Sequence, residues 1–125
     1  MTEKIKTSCI ILAGGEGKRV EGQDKGLLLY KEKPLIEHVI ERIKPQVDEI
    51  IISANRNIDE YKKFGYPVIS DSAEEYRGPM AGIAASLPHC NHEWVFIAPC
   101  DMPHLPTNII EQLNENIDGH DIAVV

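Results

Sequence analysis

The sequence has no long apolar run: its longest are four or five residues, such as Cys9–Leu12 and Trp94–Ala98. A bilayer span needs about 18 or more, so no membrane segment is expected. The charged start, Met1-Thr2-Glu3-Lys4-Ile5-Lys6, has no apolar core of a secretory leader. Cytoplasmic residence is the expectation. Cysteine is scarce too. Cys9, Cys90 and Cys100 are scattered, with no C-x-x-C pair, which excludes a disulfide framework or a cysteine zinc site. The five histidines show no metal-ligand spacing, and His38 reads as a solvated residue on the polar face of its helix. A G-x-S-x-G nucleophile elbow is missing as well.

Positive charge is in short supply overall. The net charge is −7, the wrong sign for a nucleic-acid-binding domain. The deficit is uneven: residues 1–33 carry seven Lys or Arg against five acids, whereas residues 34–125 carry six against fifteen. Five of the nine glycines lie between Gly14 and Gly26. A cationic, glycine-rich segment on an acidic protein suits a small polyanion such as a nucleoside triphosphate.

Hydrophobic periodicity gives an alternation of strands and helices. Ser8–Leu12 reads as a strand, Ala13–Lys25 as a polar loop and Leu27–Tyr30 as a short extended piece. Pro34 reads as a first-turn residue of a helix burying Leu35, Ile36, Val39, Ile40 and Ile43, ended by Pro45. Glu49–Ser53 is a β-branched strand. Ile58, Tyr61 and Phe64 line a short helix stopped by Gly65. Val68–Ser70 is a strand ending at Asp71, Pro79–Leu87 a small-residue helix, and Trp94–Ala98 a strand feeding Cys100-Asp101. Thr107 is the expected cap of a helix burying Ile109, Ile110 and Leu113. Ile122–Val125 reads as the start of a fifth strand, so the chain is expected to be the N-terminal, nucleotide-binding part of something longer.

Four rounds of strand and helix predict a single α/β domain over residues 1–125, three layers α/β/α, with a mainly parallel sheet covered on both faces. Ligands in such sheets bind beyond the carboxyl ends of the strands. The chemistry-bearing residues fall there: Ala13-Gly14-Gly15, Ala54-Asn55-Arg56, Asp71 and Cys100-Asp101.

Two phosphate motifs can be excluded in the first loop. Gly17-Lys18 is followed by Arg19, where a Walker A loop needs Ser or Thr. Val20 stands where a dinucleotide fingerprint needs glycine. The loop still offers backbone N–H groups and the cations Lys18, Arg19 and Lys25. Asp101 in Pro99-Cys100-Asp101-Met102-Pro103 is either a turn former or a carboxylate for Mg²⁺ against substrate phosphates. Gly82, inside a helical pattern, serves either close packing or close ligand approach.

Together, Ile11-Leu12-Ala13-Gly14-Gly15, Asp24-Lys25-Gly26-Leu27-Leu28, Lys33-Pro34-Leu35, Ala54-Asn55-Arg56, Asp71-Ser72, Gly78-Pro79-Met80-Ala81-Gly82 and Pro99-Cys100-Asp101-Met102-Pro103 resemble, in order and spacing, the molybdenum cofactor guanylyltransferases, the MobA family. The resemblance implies a nucleotide-diphospho-sugar-transferase-like fold and transfer of GMP from GTP to molybdopterin with Mg²⁺ as cofactor. It implies that Leu12, Ala13, Gly14 and Gly15 hold the nucleotide through their backbone. Arg19 and Lys25 then engage phosphates, Ser53, Asn55 and Asp71 lie by the guanosine, and Asp101 is the Mg²⁺ ligand. Gly22, Gly78 and Gly82 match positions of close approach. Other cofactor-biosynthesis proteins or apo-molybdoenzymes are the implied transient partners, with no nucleic acid and no membrane. The sequence departs from the family at Arg19-Val20-Glu21-Gly22, where relatives often have Arg-Met-Gly or Arg-Phe-Gly, and at Ser53, where some carry Asn. A cytidylyltransferase acting on the same cofactor is the alternative, against which Gly14-Gly15 and Gly78-Pro79 speak. A binding fragment without turnover is the alternative of another class.

Overall fold

Three runs of β-branched and small apolar residues form the middle of the sheet: β1 (Thr7–Leu12), β6 (Glu49–Ser53) and β8 (Trp94–Pro99). In the computed structural model, which describes residues 6–13, 19–20, 23–70 and 79–116, β1 pairs in parallel with both β6 and β8. The short strand β7 (Val68–Ile69) adds to β6, giving the order β7-β6-β1-β8. Thr7 to Ile11 are all buried, as expected of a strand covered on both faces.

Side chains alternate across the sheet, and the register sorts them. Cys9 and Ile11 lie beside Ile50 and Ile52. These four share one core with Ile36, Val39, Ile40 and Ile43 of helix α1 (Leu35–Ile43), Tyr61 of α2 (Ile58–Lys62), and Ile109 and Ile110 of α4 (Ile109–Asn116). The opposite face receives α3 (Pro79–Ser86), which packs on β1, β6 and β7. The expected three-layer α/β/α arrangement is therefore present among the described residues.

Differences from the expected elements are local. The loop 13–25 contains a small antiparallel ladder, β2 (Arg19–Val20) with β3 (Gln23–Asp24). The extended piece near Tyr30 is half of a second ladder, β4 (Leu29–Tyr30) with β5 (Lys33–Pro34), whose turn puts Lys31 and Glu32 at positive φ. Both ladders are two residues long, too short for periodicity to register. Pro34 stands just before α1 with an extended ψ of 144°, and Leu35 is only half-buried. Helix α1 passes into a 3-10 turn, Lys44–Gln46, at Pro45, and Gly65 follows α2 at φ +90°. Thr107 is not the cap of α4. The Ile110 N–H donates instead to Gln46 Oε1 at 3.0 Å, from 64 residues away, a tertiary cap that local sequence rules do not see. The expected fifth strand at Ile122–Val125 lies outside the described residues.

The amino ends of the strands are tied by Glu49. Its carboxylate accepts from the Ser8 hydroxyl at 2.7 Å, the Asn91 N–H at 2.8 Å and the Asn91 side-chain amide, linking β6, β1 and the approach to β8. Desolvation pushes its pKa up, but these donors outweigh it and hold the carboxyl below its ordinary 4.5. A depressed native pKa means the stabilisation is complete above 4.5 and fades as pH falls through the lower native value. Glu49→Gln is therefore expected to lower the thermal unfolding midpoint at pH 7, with the gap to the parent closing below pH 4.5. A gap independent of pH would assign the loss to packing, not charge.

Candidate functional site

The chain runs from β1 through β6 to β7 on one side of the sheet, then returns to β8 on the other side of β1. The order reverses between β1 and β8, and a crevice opens beyond the carboxyl ends at such a switch point. Leu12 pairs with Ser53 on one side and Pro99 on the other. Past these ends the chain is laced backbone to backbone. The Ala13 N–H donates to the Ser53 carbonyl at 2.8 Å, and the Ala54 N–H to the Ile69 carbonyl at 3.0 Å. The Ser70 hydroxyl donates to the Ala54 carbonyl at 3.0 Å.

Asp101 follows β8 after Cys100, and the segment beyond it is held by the far end of α1. Arg42 Nη1 donates to the Leu105 carbonyl at 3.2 Å and Gln46 Nε2 to the Pro106 carbonyl at 3.1 Å. Lys25 begins a 3-10 turn, Lys25–Leu27, against which α1 packs. Its Nζ stands 3.9 Å from Asp101 Oδ2, both side chains partly exposed. That distance is beyond a hydrogen bond. The two opposite charges thus face each other across the switch point without closing together, an arrangement that can receive an anion on the lysine side and a cation on the carboxylate side.

Asp24, beside Lys25, is buried. Its Oδ1 accepts from Arg56 Nε at 3.0 Å and Nη2 at 2.8 Å, and its Oδ2 from Asn57 Nδ2 at 3.0 Å. The Tyr61 hydroxyl reaches Oδ2 at 3.5 Å. Burial, and after it the Asp24 charge, push the Tyr61 phenol up, so it stays a neutral donor. From sequence, Asp24 is the neighbour that could help fix the direction of Lys25, Arg56 falls in the strand-end group Ala54-Asn55-Arg56 and Tyr61 lines a helix; that these residues and Asn57 meet in one cluster is not visible there. The available signal was an acid directly before Lys25 and a basic residue just past a strand end.

Of the site residues expected from sequence, Leu12, Ala13, Ser53, Lys25 and Asp101 are brought to this one edge of the sheet. Asn55 is exposed in the segment after β6. Ser53 is buried at the floor, and Gly82 on α3 lies over it: a Cβ at Gly82 would stand 2.5 Å from Ser53 Oγ and 3.5 Å from Leu12 Cδ2. Arg19 is placed by its backbone pairing with Asp24. Gly14, Gly15, Gly22, Asp71 and Gly78 lie outside the described residues. Burial, then the charge of Cys90, pushes the Cys9 thiol up, so Cys9 is an inert core residue.

His38 departs from its expected solvation. Its Nε2 lies 2.6 Å from the Tyr30 carbonyl, and its ring meets the Tyr30 ring edge-on at 5.4 Å. The Tyr30 hydroxyl is 3.0 Å from His104 Nε2. The stack joins the β4–β5 ladder to α1 and to the segment after Asp101. Among the described residues no helix is long and apolar enough to cross a membrane.

Residues 9–125 match the family model described as the MobA-like NTP transferase domain. The chain is 47% identical over 125 residues to a protein of Vibrio parahaemolyticus named molybdenum cofactor guanylyltransferase, covering 99% of this chain and 64% of that protein. A protein of the same name from Vibrio campbellii is 49% identical over 112 residues, covering 90% of this chain and 57% of the relative. One from Haemophilus influenzae is 42% identical, covering 90% and 59%. The chain thus spans about three-fifths of the length of these relatives. Among solved structures, CMP:2-keto-3-deoxy-manno-octonic acid synthetase complexed with CTP superposes with a TM-score of 0.70 at 21% identity, covering 91% of this chain and 48% of that one. The bifunctional IspDF of Campylobacter jejuni superposes with a TM-score of 0.72 at 21% identity, covering 91% and 31%. At that identity the likeness concerns the fold, which is that of nucleotidyltransferases of the nucleotide-diphospho-sugar transferase type.

The close approach of Gly82 to Ser53 sets a stability test for this contact at the end of β6. Gly82→Ala gains about 1 kcal/mol of helix propensity, but the added methyl overpacks a buried contact at a cost of about 1–3 kcal/mol. A net loss is expected in denaturant unfolding. Ser53→Ala in the same chain removes the hydroxyl and should recover most of it, so the double variant should be more stable than additivity allows. A stabilised Gly82→Ala would show that the Ser53 hydroxyl turns aside freely.

Proposed function

Because the chain belongs to the MobA-like NTP transferase domain family, we propose that the protein transfers GMP from GTP to the terminal phosphate of molybdopterin. The observation that carries this reading is the facing pair Lys25 and Asp101 at the β1/β8 switch point. The name shared by the curated relatives supports the choice of GTP.

In this reaction an oxygen of the molybdopterin phosphate attacks the α-phosphorus of GTP. The bond from that phosphorus to the bridging oxygen breaks, and pyrophosphate leaves with the electron pair. No protein nucleophile is needed, so the work is positioning and charge neutralisation. Lys25 presents a compact cation to the phosphates from a turn fixed on α1. Arg19, from the β2–β3 ladder, adds a second cation in this reading. The same reading assigns the backbone of Leu12, Ala13, Gly14 and Gly15 to the nucleotide, and Asn55 and Asp71 to the guanosine. Ser53, buried beneath Gly82, shapes the floor of that end.

Asp101 fits Mg²⁺ by donor chemistry: a hard carboxylate oxygen, partly exposed, at a strand end. Among the described residues no three His, Cys, Asp or Glu side chains group to hold an ion by themselves. Mg²⁺ is commonly bound by one or two carboxylates with substrate phosphates completing its shell. When bound, such an ion would neutralise phosphate charge and polarise the reacting phosphorus. We place the protein in the cytoplasm, where both substrates would be available to it, with other cofactor-biosynthesis proteins or apo-molybdoenzymes as transient partners.

Two measurements test the reading. Calorimetric titration of the whole protein with GTP, CTP and ATP should give the tightest binding for GTP, strengthened by Mg²⁺. Equal or tighter binding of CTP would replace the guanylyl reading with a cytidylyl one. Asp101→Asn should fold normally, because the residue lies past the end of β8, yet lose turnover by at least ~100-fold, comparable to removing one strong electrostatic contact from a catalytic site. Near-parental turnover in the folded variant would move the metal elsewhere.

A further inference from the structure

Asp24 has no part in the reaction outlined above, yet it is the most thoroughly engaged carboxylate among the described residues. It is 2% exposed and accepts the Arg56 fork, the Asn57 amide and, at longer range, the Tyr61 hydroxyl. These donors lie 32 to 37 residues along the chain, in the segment after β6 and in α2. Asn57 holds a left-handed backbone, φ 53°, immediately before that helix, as short polar side chains can. On the other side of Lys25 stands Gly26. A Cβ there would meet the Tyr61 hydroxyl at 3.1 Å and the Cys100 side chain at 3.2 Å. Lys25 is thus fixed from both flanks: by a clamped carboxylate before it and by a glycine wedged against the neighbour of Asp101 after it.

A buried ion pair contributes little to stability that a well-packed apolar pair would not. What it can supply is geometry. The donors of Asp24 belong to the segment that also carries Asn55, so one carboxylate connects the phosphate side of the crevice to the base side.

We infer that Asp24 is a positioning residue which, held by Arg56 and Asn57, aims Lys25 at the reacting phosphates opposite Asp101. This rests on the guanylyltransferase reading, with Lys25 as the cation that acts in the transition state. A displacement of about 1 Å at such a group costs up to about 100-fold in rate, so a modest loosening of the clamp has a measurable effect.

The test is a double-mutant cycle in the whole protein, reading kcat, KM and directly titrated GTP affinity. Lys25→Ala should lower kcat about 100-fold. Asp24→Asn should lower kcat roughly 10-fold or more with GTP affinity nearly unchanged. The double variant should be no slower than Lys25→Ala alone, because without the ammonium there is nothing left to aim. Arg56→Lys keeps the charge but loses the fork. Its side chain is 30% exposed, so it carries the same cycle if Asp24→Asn does not fold, with the same non-additivity expected. Losses that multiply, or clamp variants with parental kcat, would overturn the positioning role and leave the site reading intact. Lys25→Ala with parental kcat would overturn both.

Discussion

A carboxylate removed from water must be matched by donors or it destabilises the fold by several kcal/mol. Asp24 meets that constraint with a guanidinium fork, an amide and a phenol drawn from a distant part of the chain. The segment before α1 packs Leu27 against the core, but Asp24 and Lys25 ahead of it are polar. The Asp24–Arg56 pair fixes the direction of that polar end, and Gly26 permits the approach that brings the turn onto Tyr61 and Cys100. The placement of Lys25 follows from both contacts, and the distance between Lys25 and Asp101 follows from that placement.

The sheet imposes the other half of the site. In a parallel sheet all strands deliver their carboxyl ends to the same edge. Residues with no sequence proximity, Ala13, Ala54 and Asp101, therefore become neighbours once β6 and β8 flank β1. The opposite edge is specialised differently. There Glu49 ties Ser8 of β1 and Asn91 before β8 to β6 by hydrogen bonds. Stabilising contacts at the amino ends leave the carboxyl ends able to spend their polar groups on a ligand.

Legibility in the sequence tracked the range of the interaction. Glu49–Ser53 was readable to its ends because a buried strand is a contiguous apolar run. The inward face of α1, Ile36, Val39, Ile40 and Ile43, was readable because helical spacing is local. The ladders at Arg19–Asp24 and Leu29–Pro34 were not, since two-residue strands leave no period. Thr107 looked like a helix cap by the local rule, but Gln46 took the N–H from across the fold. His38 looked solvated because nothing near it in sequence shows that Tyr30 folds back onto it. At the site, the family resemblance pointed to Lys25 and Asp101, whereas the Asp24–Arg56 pair, 32 residues apart, required coordinates.

The same logic accounts for the mixed charge of the first 33 residues. A segment meant only to bind a polyanion would gain from carrying no acids at all. This one carries five, and Asp24 stands next to the lysine assigned to the phosphates. Left in solvent, that carboxylate would repel the ligand and offset part of the attraction of Lys25. Held under the Arg56 guanidinium, its charge is largely neutralised towards the crevice. The acid can then stay beside the cation without weakening it as a phosphate ligand. With Asp24 so held, Lys25 is the charge that the turn Lys25–Leu27 carries opposite Asp101, and so local a cation suits a small, highly charged ligand better than an extended nucleic acid.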